Sequence, residues 1–214
     1  TNSSNLIENS GNLIINNGYF YGTDGTNNII HNLQNGILKV NGGTFRFWTG
    51  SRNIMMNEGT AYIYDNNVVA EAYWKNSIYL YNSETGNLFI DGLNNISLTS
   101  INRLIYNLGT AEISNSTLIG AIDNDKGSMT FSNVIINSSN DDSGIPNRIY
   151  NNSTGTITIK NGEYNIPISN KSSGIINIET GTFKKIVSNT NTGSINIETG
   201  VFNGKISKDR KSVV

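Results

Sequence analysis

The chain has 214 residues, 36% of them apolar, with 15 Lys+Arg against 16 Asp+Glu and no cysteine. That length supports one sizeable domain with a thinly supplied core. Balanced charge without a basic run argues against a nucleic-acid partner. The lack of cysteine excludes disulfides and thiolate metal sites, and no apolar run reaches the 18 or so residues of a membrane span.

Residues 1–10 carry no signal-peptide pattern and read as an N-terminal lead-in or cap. Repetition starts at Gly11. The stretches "GIINIETGTF" from Gly174 and "GSINIETGVF" from Gly193 are near copies, and related units open at Gly11, Gly36, Gly59, Gly86, Gly109, Gly127 and Gly155. Two residues after each glycine stands an apolar side chain (Leu13, Leu38, Ala61, Leu88, Ala111, Met129, Ile157, Ile176, Ile195). Another follows four residues after it (Ile15, Val40, Ile63, Ile90, Ile113, Phe131, Ile159, Ile178, Ile197). A period of two with polar residues between predicts a strand with one buried face.

A corner follows each first strand. Gly18, Gly43, Gly162, Gly181 and Gly200 stand seven residues after their opening glycines, with Asn66 in the third unit, and these types tolerate positive φ. Leu93, Ser116 and Val134 occupy the place in units four to six, so those corners require another construction. Two residues on, Phe20, Phe45, Val68, Leu118, Ile136, Tyr164, Phe183 and Phe202 mark a second short strand.

From that strand to the third, the chain takes four residues in short units, as from Phe183 to Val187. It takes ten in the first two units, twelve in the third and thirteen in the sixth. All large insertions therefore leave at one corner, and insertions gathered on one face of a repeat protein are the usual place for binding. They hold Arg46, Phe47, Trp48, Arg52, Tyr73, Trp74, Asp141 and Asp142. Aromatic planes beside Arg and Asp suit sugar recognition. The alternative is a wider core that large side chains fill.

The third strand ends on asparagine. Asn32, Asn57, Asn82, Asn107, Asn124, Asn151, Asn170 and Asn189 each follow, two residues later, an apolar residue. Coils about 4.8 Å apart would stack these amides into a hydrogen-bonded ladder at an inward corner. Roughly 38 of the 214 residues are asparagine, and the ladder accounts for part of that bias.

These patterns predict an all-β fold: a single-stranded right-handed parallel β-helix over residues 11–208, of about nine coils of 18–28 residues with three short strands each, followed by a tail at 209–214. Candidate chemistry is sparse. The sole histidine, His31, is expected to point outward into solvent. Glu179 and Glu198 stack one coil apart near Lys160, as a charge-tolerant corner or a weakly held calcium site; no other cofactor is expected. The scattered acids form no carboxylate pair of the kind glycoside hydrolysis uses.

Units such as "GTITIKNGEY" and "GSINIETGVF", with the asparagine positions, resemble the right-handed parallel β-helices of the pectate-lyase-like superfamily. More narrowly, they are similar to the repeat regions of bacterial cell-surface and adhesin proteins. The resemblance implies a secreted or wall-attached bacterial protein. Lyases of that superfamily place calcium-binding aspartates and an arginine or lysine base on one sheet, and no such set carries over to these residues. The leading expectation is a non-enzymatic adhesin or stalk module presenting corner loops to a glycan or host surface. The alternatives are a polysaccharide lyase or hydrolase, and a fibre subunit joined end to end through open strand edges, with Lys208 standing where the next ladder asparagine would fall.

Overall fold

The computed structural model describes residues 4–23, 26–47, 53–64, 68–72, 77–94, 97–99, 101–138 and 147–208. Their regular structure is entirely β: a lead-in strand, Ile7–Asn9, then nine triplets of short strands. Every strand pairing is parallel, and equivalent residues of successive units lie side by side, as with Leu88, Ala111 and Met129. The molecule is a parallel β-solenoid. First strands form a nine-stranded sheet, and third strands with the lead-in form a ten-stranded one. Among the described residues no helix is long and apolar enough to cross a membrane.

The alternation read from the sequence sets which side chains face inward. Leu38, Ala61, Leu88, Ala111, Met129, Ile157 and Ile176 are buried in one column, and Val40, Ile63, Ile90, Ile113, Phe131, Ile159 and Ile178 in the next. Only the ends depart: Leu13 is half-buried and Ile197 is 39% exposed, because no described coil lies beyond either. A third column is aromatic where it can be. Phe20 stacks on Phe45 at 5.0 Å, Tyr164 on Phe183 at 5.1 Å and Phe183 on Phe202 at 4.7 Å. Each fully buried ring removes enough apolar surface from water to contribute about 2–3 kcal/mol.

The second strands split into two sheets. Units one to four build a four-stranded sheet and units five to nine a five-stranded one. The corner chemistry changes around that break, in units four to six. Gly18, Gly43, Gly162, Gly181 and Gly200 take φ between 131° and 151°, whereas in units four to six the left-handed residue comes one position earlier, at Gly92 (73°), Asn115 (48°) and Asn133 (54°). Asparagine tolerates that region better than most L residues. The early turn sends Leu93, Ser116 and Val134 inward. Outside, Asn115 Nδ2 donates to Asp91 Oδ1 at 2.9 Å and Asn133 Nδ2 to Asn115 Oδ1 at 2.9 Å, so the corner has its own short polar stack.

The asparagine ladder is present and one rung longer than expected. Nδ2 of Asn9, on the lead-in strand, donates to Oδ1 of Asn32 at 2.7 Å. The bond recurs from Asn32 to Asn57, Asn82, Asn107, Asn124, Asn151, Asn170 and Asn189, at 2.7 to 3.2 Å. From Asn32 onward each amide also donates to the carbonyl of the glycine opening the next unit, whether one residue intervenes (Asn107 to Gly109, 3.0 Å), two (Asn124 to Gly127, 2.8 Å) or three (Asn151 to Gly155, 2.7 Å). These glycine carbonyls also accept a backbone N–H from the next coil, as Gly109 does from Ser128 at 2.8 Å, so the ladder amide takes the second lone pair and ties the turn to the strand that precedes it.

The ladder also explains the opening glycines. A Cβ at Gly109 would sit 2.3 Å from the carbonyl oxygens of Gly86 and Ser83, and 3.2 Å from Asn82 Nδ2. At Gly11, which has no described coil before it, a Cβ would meet nothing within 4 Å. The glycine is demanded by the coil stacked against it.

Candidate functional site

The inserted corner is entered from the four-stranded sheet, whose outer face carries Tyr19 and Tyr21 on Tyr19–Gly22 and Arg46 on Gly43–Phe47. Alternation drives Phe20, Phe45 and Phe47 inward and these three outward. Tyr19 is 61% exposed, and its ring lies 6.4 Å from that of Tyr21 with planes 11° apart. Arg46 pairs with Tyr21 in register, and its Nη1 approaches the Tyr19 hydroxyl at 3.5 Å.

Phe47 corrects the expectation that placed it among ligand contacts. Its ring is fully buried, packed over Gly22, and with Ile29, Ile54, Tyr79 and Leu104 it belongs to the hydrophobic core. The wider core offered as an alternative is therefore real for this residue. Burial also pushes the Tyr79 phenol well above its usual range. Of the other expected contacts, Trp48, Arg52, Tyr73, Trp74, Asp141 and Asp142 lie outside the described residues.

His31 points outward as expected, but solvent reaches little of it. Its Nε2 lies 3.2 Å from Glu58 Oε1 and its Nδ1 3.2 Å from Asn5 Nδ2, with 16% of the side chain exposed. Glu179 and Glu198 are exposed above a shallow depression lined by Thr158, Asn177 and Asn196. Among the described residues no three His, Cys, Asp or Glu side chains gather to hold a metal ion.

A second surface emerges that the sequence reading passed over: the outward row of the ten-stranded sheet, one residue before each ladder asparagine. In register it runs Glu8, His31, Met56, Tyr81, Tyr106, Asp123, Tyr150, Ser169, Ser188. Tyr81 and Tyr106 stack at 5.4 Å, and Arg103 lies 5.4 Å over Tyr106. Tyr150 is approached by Arg148 at 4.2 Å and Lys171 at 4.8 Å. Between the tyrosines Asp123 is only 2% exposed; its Oδ2 accepts from Arg103 Nε, and its Oδ1 is buried without a hydrogen-bond partner. Tyr106 donates its hydroxyl to Asp125 Oδ2 at 2.9 Å. Burial first, and that carboxylate second, push the Tyr106 phenol up to about 12. Stepping back one residue from every ladder asparagine would have revealed the row.

No protein family, characterised protein or solved structure matches the chain. Its solenoid and ladder therefore stand on the strands and hydrogen bonds described above.

Proposed function

We propose that the chain is a non-enzymatic module of a bacterial surface protein, an adhesin or stalk segment that holds aromatic and charged side chains outward to bind a glycan or host surface outside the cell. The observation that carries this reading is the outward trio Tyr19, Tyr21 and Arg46 at the mouth of the inserted corner. On the outer face of the nine-stranded sheet, by contrast, the equivalent position in units five to seven holds the small polar residues Thr110, Ser128 and Thr156. Exposed aromatic planes beside a cation pack on the C–H faces of sugars while the polar groups take the hydroxyls. A stack of coils supplies the rigid base that precise recognition needs.

A glycan array tests the reading. The wild-type chain should give a discrete set of positive glycans, and Tyr19→Ala, Trp48→Ala and Trp74→Ala should each weaken them while circular dichroism stays unchanged. Silence on every glycan would refute the proposal. Product release from a uronate or neutral polysaccharide would replace it with catalysis.

A further inference from the structure

A carboxylate at an outward position is normally wet, yet Asp123 is 2% exposed. Its neighbours in the row are the cause. Tyr106 and Tyr150 belong to the coils on either side of it, roughly 10 Å from each other. Arg103 lies over the first ring and Arg148 over the second. The result is a roofed slot with a carboxylate at its floor. One oxygen is held by Arg103, and the other, Oδ1, is buried without a partner.

An unpartnered buried acceptor costs about 1–3 kcal/mol, more when it is charged, and the ordinary remedy is a donor brought from outside. A further cation would meet Arg103, Arg148 and Lys171 around the two rings, so a neutral hydroxyl or N–H is the better-matched donor. Among the described residues, those three cations stand beside two carboxylates, Asp123 and Asp125. Arg103, with 31% of its side chain exposed, is the solvent-facing part of the roof. Lys171 is exposed at the rim and lies over Tyr150 from the next coil.

We propose that the outward row between Tyr106 and Lys171 is a binding site for an anion-bearing sugar chain. A sulfate or carboxylate lies against Lys171 and Arg148, and a ligand hydroxyl or N–H donates to Asp123 Oδ1. Sulfate and carboxylate share the chemistry that lysine and arginine recognise. The acceptor at the floor adds a requirement that a bare polyanion does not meet. This site lies on the ten-stranded sheet, not on the four-stranded sheet of Tyr19, Tyr21 and Arg46, although Arg148 closes the sixth insertion; it rests on the glycan-binding reading for its class of ligand.

The test uses the intact chain and three immobilised probes: heparin for sulfate, hyaluronan for carboxylate alone and dextran for neither. One or both polyanions should hold the protein, and dextran should not. The sign of the Asp123→Asn effect is decisive. If charge alone bound the ligand, removing a carboxylate would tighten binding; the amide, with its one oxygen kept on Arg103 Nε, instead presents an NH2 where Oδ1 stood, and this loss of the acceptor should weaken binding by about 10-fold. Lys171→Glu, an exposed change that spares the fold, should weaken polyanion binding by at least about 10-fold. It therefore carries the test if Asp123→Asn fails to fold. Equal or tighter polyanion binding by folded Asp123→Asn, unchanged binding by Lys171→Glu, or dextran held as well as heparin would overturn the proposal. If the corner variants still lower the array signal in that case, the module reading survives without this site; a silent array removes both.

Discussion

The solenoid has two corners that treat chain length in opposite ways. At the asparagine corner one to three residues separate the ladder from the next glycine, and one amide closes every version by reaching the glycine carbonyl. At the opposite corner the span varies from four residues to thirteen, with no common side chain. The difference follows from which way the polar groups face. An inward turn must satisfy its own carbonyls, which restricts it to what a stacked amide can reach, whereas an outward turn leaves them to water. The first corner therefore sets the register of the coils, and the second is left free to vary.

The contrast can be tested by substitutions, beginning with the largest effect. Asn107→Ala removes the amide that links Asn82 to Asn124, leaves buried Asn124 Oδ1 without its donor, and takes one of two hydrogen bonds from the Gly109 carbonyl, which keeps the Ser128 N–H. A loss of about 3–5 kcal/mol in urea unfolding is expected. A loss below about 1 kcal/mol would mean that the ladder decorates the corner without holding it. Phe47→Ala should cost a similar amount, about 3–5 kcal/mol, because it empties the core beneath the inserted corner. Gly109→Ala should cost about 2–3 kcal/mol through its contact with the neighbouring coil, while Gly11→Ala should stay within about 0.5 kcal/mol. Equal effects at the two glycines would show that backbone freedom, not close approach, selects them.

Smaller effects come from titration and from the loops. Tyr106 is raised to about 12 in the fold, against an ordinary tyrosine value of about 10, so the folded state holds its proton longer than the unfolded chain does. Its stabilising contribution is complete below pH of about 10 and is lost as pH climbs toward about 12. Tyr106→Phe should flatten that part of an alkaline denaturation curve. Least of all should deletion of residues 138–146 matter to the fold. It reduces the span from Ile136 to Ile149 from thirteen residues to the four used by the short units. Loop-length changes of this order cost less than about 1 kcal/mol. Cooperative destabilisation well beyond that would show that the sixth insertion supports the coil beneath it.

Most of the fold could be read in advance because a parallel solenoid repeats its instructions. Nine apolar pairs in one register and eight asparagines in another left few other arrangements, and the structure added only Asn9 to the ladder. The split second-strand sheet was not legible, since a left-handed residue at Asn115 or Asn133 looks in sequence like any other asparagine in a chain rich in them. The binding surfaces were legible only in part. Insertion length pointed to the corner, but it could not distinguish Phe47, which turns inward, from Arg46, which turns outward, without the exact end of the preceding corner. The tyrosine row on the ten-stranded sheet was hidden because its members are no motif along the chain; they become neighbours only when third strands are overlaid.

The break between the four- and five-stranded sheets has a mechanical consequence. Hydrogen bonds between coils run along the long axis, so a pull on the two ends loads one coil junction after another in series. Between the fourth and fifth units the nine- and ten-stranded sheets continue, but Ser97–Thr99 does not pair with Thr117–Ile119. Two full sheets and a partial seam, including Thr117 N–H to the Leu93 carbonyl at 2.8 Å, carry the tension there, where neighbouring junctions have three sheets. Stretched in a force spectrometer, the molecule should rupture first at this seam and yield two shorter blocks before single coils peel away.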